Sequence, residues 1–127
     1  MKQSRRYWLI AMVLLITALI FVMRRIGRDP GEIKGMNRDP ASLVYTKHAK
    51  CRMDCRQVTE DEVKQILVDG KLNYAKSEPN GKPDPKYALE GTSSDGQQLR
   101  IVFAADDGKL VVVTVIDLGK EWPCSCQ

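Results

Sequence analysis

At 127 residues the chain has room for one small domain plus an accessory segment; 43% of it is hydrophobic, and it carries a formal charge of +4. The charge is unevenly spread: six basic and no acidic residues precede position 29, leaving 14 Lys/Arg against 16 Asp/Glu, a formal −2, in the remainder. A net-negative body offers no general attraction to phosphate backbones, which leaves residues 47–56 as a local basic cluster able to meet RNA.

Residues 1–6 form a basic tail containing Lys2, Arg5 and Arg6. Residues 7–23, "YWLIAMVLLITALIFVM", then run 17 positions without a charge, a glycine or a proline. A helix rising ~1.5 Å per residue covers about 26 Å over that length, the short end of a bilayer core. Tyr7 and Trp8 open the run, where amphipathic rings favour the membrane–water interface. A cleaved signal peptide needs small residues at spaced positions near its end, and "LIFVMRR" has none. The expectation is an uncleaved single-span anchor. Lys2, Arg5 and Arg6 before the span nearly balance Arg24, Arg25, Arg28 and Lys34 after it. The short, half-basic tail against the one span favours a cytoplasmic N-terminus and a C-terminal domain outside the cytoplasm.

Residues 24–42, "RRIGRDPGEIKGMNRDPAS", combine two Asp-Pro pairs, three glycines and scattered charge, as a juxtamembrane linker does. Residues 43–127 read as an α+β domain ending in a cysteine-containing tail. Thr46 is placed to cap a helix over 47–56, "KHAKCRMDCR". "TEDE" at 59–62 spells a capping box for a second helix, with Val63, Ile66 and Leu67 on one face and Gly70 as its stop. Leu72 and Tyr74 alternate as a short strand, and "SEPNGKPDP" at 77–85 is a loop. "KYALEG", "QQLRIVFAAD" and "KLVVVTVIDL" follow as strands joined at "SSDG" and "DDG". The last strand is almost continuous Val, Ile and Leu, which predicts burial on both faces. The architecture predicted is two helices on an antiparallel meander of about four strands.

Four cysteines fall in two pairs. Cys51 and Cys55 lie within ~40° on one helix, and Cys124 and Cys126 share a side of an extended tail. Two bonded chemistries suit that pairing, with four free thiols as the remaining alternative. One is a structural zinc held by Cys51, Cys55, Cys124 and Cys126, with no open position for catalysis; an iron–sulfur cluster would use the same thiolates. The other is a crossed pair of disulfides, each joining a helix cysteine to a tail cysteine across roughly 70 residues, since a bond within either pair is strained. Compartment separates them: outside the cytoplasm favours disulfides, inside favours thiolates. Pro123 stiffens the tail, and Trp122 is placed to pin it against the first helix.

The segment "HAKCRMDCRQVTEDEVKQILVDGK", followed by "YALEG", "LRIVFA" and "VVVTVIDL", resembles the small bacterial family called domain of unknown function 4258 over roughly residues 43–118. That family is similar in outline to the RelE and BrnT ribonuclease toxins, two helices followed by an antiparallel sheet. The resemblance implies a RelE-like fold and places the span in a bacterial inner membrane; it implies no reaction, because fold does not fix function. A metal-independent ribonuclease of that outline would use His48, Arg52 and Arg100, with Arg56 and Tyr87 nearby, the histidine as acid or base and the arginines on a phosphate. The reading preferred over that enzyme is a membrane-tethered, non-catalytic binding or accessory module, anchored through residues 7–23, with RNA not an expected partner.

Overall fold

The computed structural model describes residues 2–26 and 36–127. The linker expected over 24–42 therefore lies partly outside the described residues, as do residue 1 of the basic tail and the first Asp-Pro pair. The second pair is described: Asp39 caps a short 3₁₀ turn, Pro40–Ser42, by accepting from the Ala41 amide.

The N-terminal segment is one helix, α1 (Lys2–Ile26), with exposed apolar side chains from Tyr7 to Met23. Within it, Arg5–Met23 has a mean hydropathy of 2.2, long and apolar enough to cross a membrane. A signal sequence meets the same description.

The C-terminal domain runs β1 (Leu43–Tyr45), α2 (Lys47–Arg56), α3 (Glu60–Asp69), β2 (Lys71–Leu72), β3 (Lys86–Thr92), β4 (Gln98–Asp106) and β5 (Lys109–Asp117). These strands form a five-stranded sheet in the order β1-β5-β4-β3-β2. The extra strand is β1, which pairs parallel to β5 while every other pairing is antiparallel. Its three residues are too few to show an alternating pattern in sequence. The expected strand through Tyr74 is shorter as well, because Tyr74 opens a 3₁₀ turn, Tyr74–Lys76, and is exposed.

Local sequence sets the helix boundaries. The Thr46 hydroxyl accepts from the Ala49 amide at the start of α2, leaving the helix to run over 47–56. At its end Gln57 takes a left-handed conformation (φ 57°), its amide donates to Asp54, and the Val58 amide donates to Met53. That crossed pair of bonds is a Schellman closure, with buried Val58 following the turn. Thr59 and Glu62 complete both halves of the capping box of α3, and the second Glu62 oxygen accepts from the Ser94 hydroxyl at 3.0 Å. This explains how a carboxylate sits 95% buried. Gly70 ends α3 in an extended rather than left-handed conformation; a Cβ there would stand 2.3 Å from the Ile66 carbonyl oxygen.

Both helices lie on one face of the sheet. Ala49, Met53 and Val58 meet Val63, Ile66 and Leu67 over Leu89, Leu99, Ile101, Phe103, Val112 and Val115. A bulge between Val102 and Phe103 shifts the β4–β5 register so that Val112 and Val115 both turn inward. The two turns of the meander use left-handed residues, Gly96 in one and Asp107–Gly108 in the other.

Because Gln57 pays a side-chain penalty in its left-handed conformation, Gln57→Gly should raise stability by about 0.5–1 kcal/mol. Thr59→Ala, which removes the cap of α3, should lower it by about 1 kcal/mol. Thermal unfolding of the full chain in detergent, followed by circular dichroism, distinguishes the two signs.

Candidate functional site

The α2 helix presents two stripes. Cys51 and Cys55 lie one turn apart, and His48, Arg52 and Arg56 follow the adjoining side at successive turns. The cysteine stripe is fully occupied: Cys51 bonds Cys126 and Cys55 bonds Cys124, each with Cα atoms 5.9 Å apart and with sequence separations of 75 and 69. The tail therefore runs antiparallel to α2. The structural zinc expected as one alternative is overturned. All four sulfurs are spent in S–S bonds, so no thiolate remains to ligate a metal, and the same holds for an iron–sulfur cluster. Among the described residues no group of three or more His, Cys, Asp or Glu side chains is placed to hold a metal ion.

A second tether sits at the end of β5. The Asp117 carboxylate accepts from the Gly119 and Lys120 amides at 2.9 and 3.2 Å and from the Trp122 indole at 2.8 Å. The indole bond, reinforced by the two amides, holds this carboxyl below the usual carboxylate range against the opposing effect of burial. Lys120 covers the Trp122 ring at 3.8 Å. Trp122 thus fixes the tail to the end of β5, not to α2 as the sequence suggested. Beside it lies an open cleft of ≈ 350 Å³ walled by Asp95, Gln98, Asp117 and Trp122.

The end of the basic stripe reaches the sheet through Arg56. Thr46 and Arg56 donate to the Val113 and Val115 carbonyls of β5, beyond the point where β1 stops pairing. Burial, with Arg52 adding to it and Asp117 opposing, lowers the Arg56 pKa from its ordinary value. The Arg56 carbonyl accepts from Gln97 at 2.9 Å. Arg52 donates through Nε to His48 Nε2 at 3.4 Å. His48 and Arg52 are therefore neighbours, as their spacing predicts.

Arg100 is elsewhere. Leu99 and Ile101 beside it are fully buried under the helices, so alternation along β4 directs Arg100 to the opposite face. There its Nε donates to Glu90 at 2.6 Å, and Asn73 donates to the same oxygen at 2.8 Å. Burial pushes the Glu90 carboxyl up, but the Arg100 and Asn73 bonds together hold it below its ordinary value. Tyr87 is buried on the helix-covered face. His48 and Arg52 share one site, and Arg100 belongs to another.

Sequence reading missed Asp117, Glu90 and Tyr45. Asp117 had a signal, an acidic residue two positions before a glycine at a strand end, which is the pattern of a side chain closing its own turn. Tyr45 had none. Its hydroxyl is buried without a hydrogen-bond partner, and burial, aided by Glu60 and Asp61, raises its pKa to about 12.

Residues 45–117 match the family model described as Domain of unknown function (DUF4258), and the chain belongs to that family. The match runs from the last residue of β1 to the end of β5 and includes Cys51 and Cys55; α1, Cys124 and Cys126 lie outside it. No curated protein matches the chain, and no solved structure does.

Two outcomes follow for this site. Removing the outer bridge by Cys51→Ser with Cys126→Ser should cost about 2–3 kcal/mol by the chain-entropy relation, because Cys55–Cys124 still closes the long loop, and is read as a lower denaturation midpoint. Tyr45→Phe should be neutral or stabilising, because it deletes a buried hydroxyl that gains nothing from folding. A pKa raised in the folded state favours folding below the tyrosine's unfolded value near 10 and loses that contribution as pH rises towards about 12. Tyr45→Phe should therefore flatten the alkaline limb of a stability-against-pH curve.

Proposed function

With membership of that family as the premise, we propose that the chain is a single-pass membrane protein displaying its C-terminal domain on an oxidising side of the membrane, as a non-catalytic binding or accessory module. The observation that carries this is the pair of disulfides, Cys51–Cys126 and Cys55–Cys124. Bonds of that kind persist outside the reducing cytoplasm. A half-basic tail before an apolar helix favours the same orientation. Compartment and chemistry therefore agree from independent residues.

Non-catalysis is supported by the separation of the candidate residues. A ribonuclease using His48, Arg52 and Arg100 needs all three at one phosphate, yet Arg100 is paired with Glu90 on the face away from α2. His48 and Arg52 bond each other, and Arg56 is committed to β5. What remains is a rigid scaffold with its C-terminus stapled down, suited to presenting a surface.

A C-terminal reporter active only outside the cytoplasm should give signal, and one fluorescent only in the cytoplasm should stay dark. The chain purified without reductant should retain residues 1–26 and weigh four hydrogens less than after reduction. A cytoplasmic signal with the full reduced mass would sink the orientation, and loss of the N-terminal residues would sink the anchor.

A further inference from the structure

β5 carries apolar side chains on both of its faces, but α2 and α3 cover only one. The register places Val44, Val111, Val102, Thr114, Ile116 and Leu118 on the other. Val44 is 46% exposed and Leu118 44%. The cross-strand neighbours on this face are Val102 with Ala88 and Arg100 with Glu90, and Ile116 and Lys71 extend the second row at either end. Arg100 and Glu90 lie side by side there, a cation and an anion on one apolar surface.

We propose that this face docks on the same face of a second copy of the chain. A partner carrying one sign of charge would be repelled by either Glu90 or Arg100, whereas a second copy supplies both. A two-fold axis between β3 and β4, parallel to the strands, sets Arg100 of each copy against Glu90 of the other. It also sets Ile116 against the aliphatic stem of Lys71, and brings Val102 over the position of Ala88, which its own neighbours already cover. The row Ile116–Arg100–Glu90–Lys71 is thus complementary to itself when reversed.

The size of the face supports a contact of this kind. The strands run 3, 2, 7, 9 and 9 residues, and at about 4.8 Å by 3.3 Å per residue they give roughly 480 Å², or about 1,000 Å² over both copies. That is the lower bound for a specific interface. The proposal rests on the membrane tether inferred above, which confines two copies to one plane and one orientation and so raises their effective concentration.

The test uses the full chain in its membranes, with a photoreactive phenylalanine analogue at Val102 and a control at Val68, exposed on α3. Illumination should give a species of twice 14.3 kDa from position 102 and not from position 68. Arg100→Glu alone, or Glu90→Arg alone, should lower its yield about tenfold or more, through like charges facing across the axis. Co-expressing the two variants should restore it, as a mixed dimer. Retention of all four cysteines in disulfides reports that each variant folds. No doubled species, an equal yield from position 68, persistence in the single variants, or failure of the mixed pair would each overturn the proposal. Fractionating the same samples reads the tether separately: a chain found outside the membrane fraction overturns the anchor, while the cross-link still reports on the face.

Discussion

The domain depends on holding α2 against the sheet, and α2 is poorly equipped to hold itself. Of its ten residues only Ala49 and Met53 are buried, and most of the rest are charged or half-exposed. A helix of this length is not stable alone in water, and burying one alanine and one methionine contributes only a few kcal/mol, on the order of 3. The remaining attachment is covalent and polar. Two disulfides join its outer side to the tail, the Trp122–Asp117 bond joins the tail to β5, and Thr46 and Arg56 join the helix directly to β5 carbonyls. The result is a closed circuit of helix, tail and strand, in which each tie limits the freedom that the others would have to oppose.

That circuit also explains the position of β1. A three-residue strand contributes little by itself, but it occupies the β5 edge at Leu110–Val112 and delivers the chain to Thr46. From there the edge is taken over by side chains of α2. The unpaired backbone of β5 is thereby satisfied by a strand over one half and by a threonine and an arginine over the other, which blunts an edge otherwise open to pairing.

Much of this was legible because the signals are local. Thr46, Thr59 and Glu62 fix helix starts through bonds spanning three residues, and the structure shows both helices where those residues put them. Helical and extended periodicity place two sulfurs on each side of one gap, which limits disulfides to a crossed pair but does not choose between disulfides, zinc and free thiols. What stayed hidden is what depends on contacts remote in sequence or on irregular turns. β1 needs β5, 67 residues on from Leu43 at Leu110, to become a strand; the Trp122–Asp117 bond spans only five residues but lies in an irregular turn with no period to read. His48 and Arg52 could be placed together by counting along one helix. Arg100 could not be placed relative to them without knowing which face of β4 the helices cover.

The error over β5 is the most instructive. An unbroken "VVVTVI" run implies burial on both faces, yet Val111, Val113, Thr114 and Ile116 are only half-buried within the domain. Apolar content matched to two covered faces, in a fold that supplies one cover, leaves hydrophobic area whose burial favours association. In such an association the adjacent Glu90–Arg100 pair would set selectivity, since a surface opposing only one of the two charges would leave the other uncompensated. Selection of a continuous apolar strand therefore makes physical sense if the second cover comes from outside the domain, and a face carrying both signs of charge restricts what that cover is.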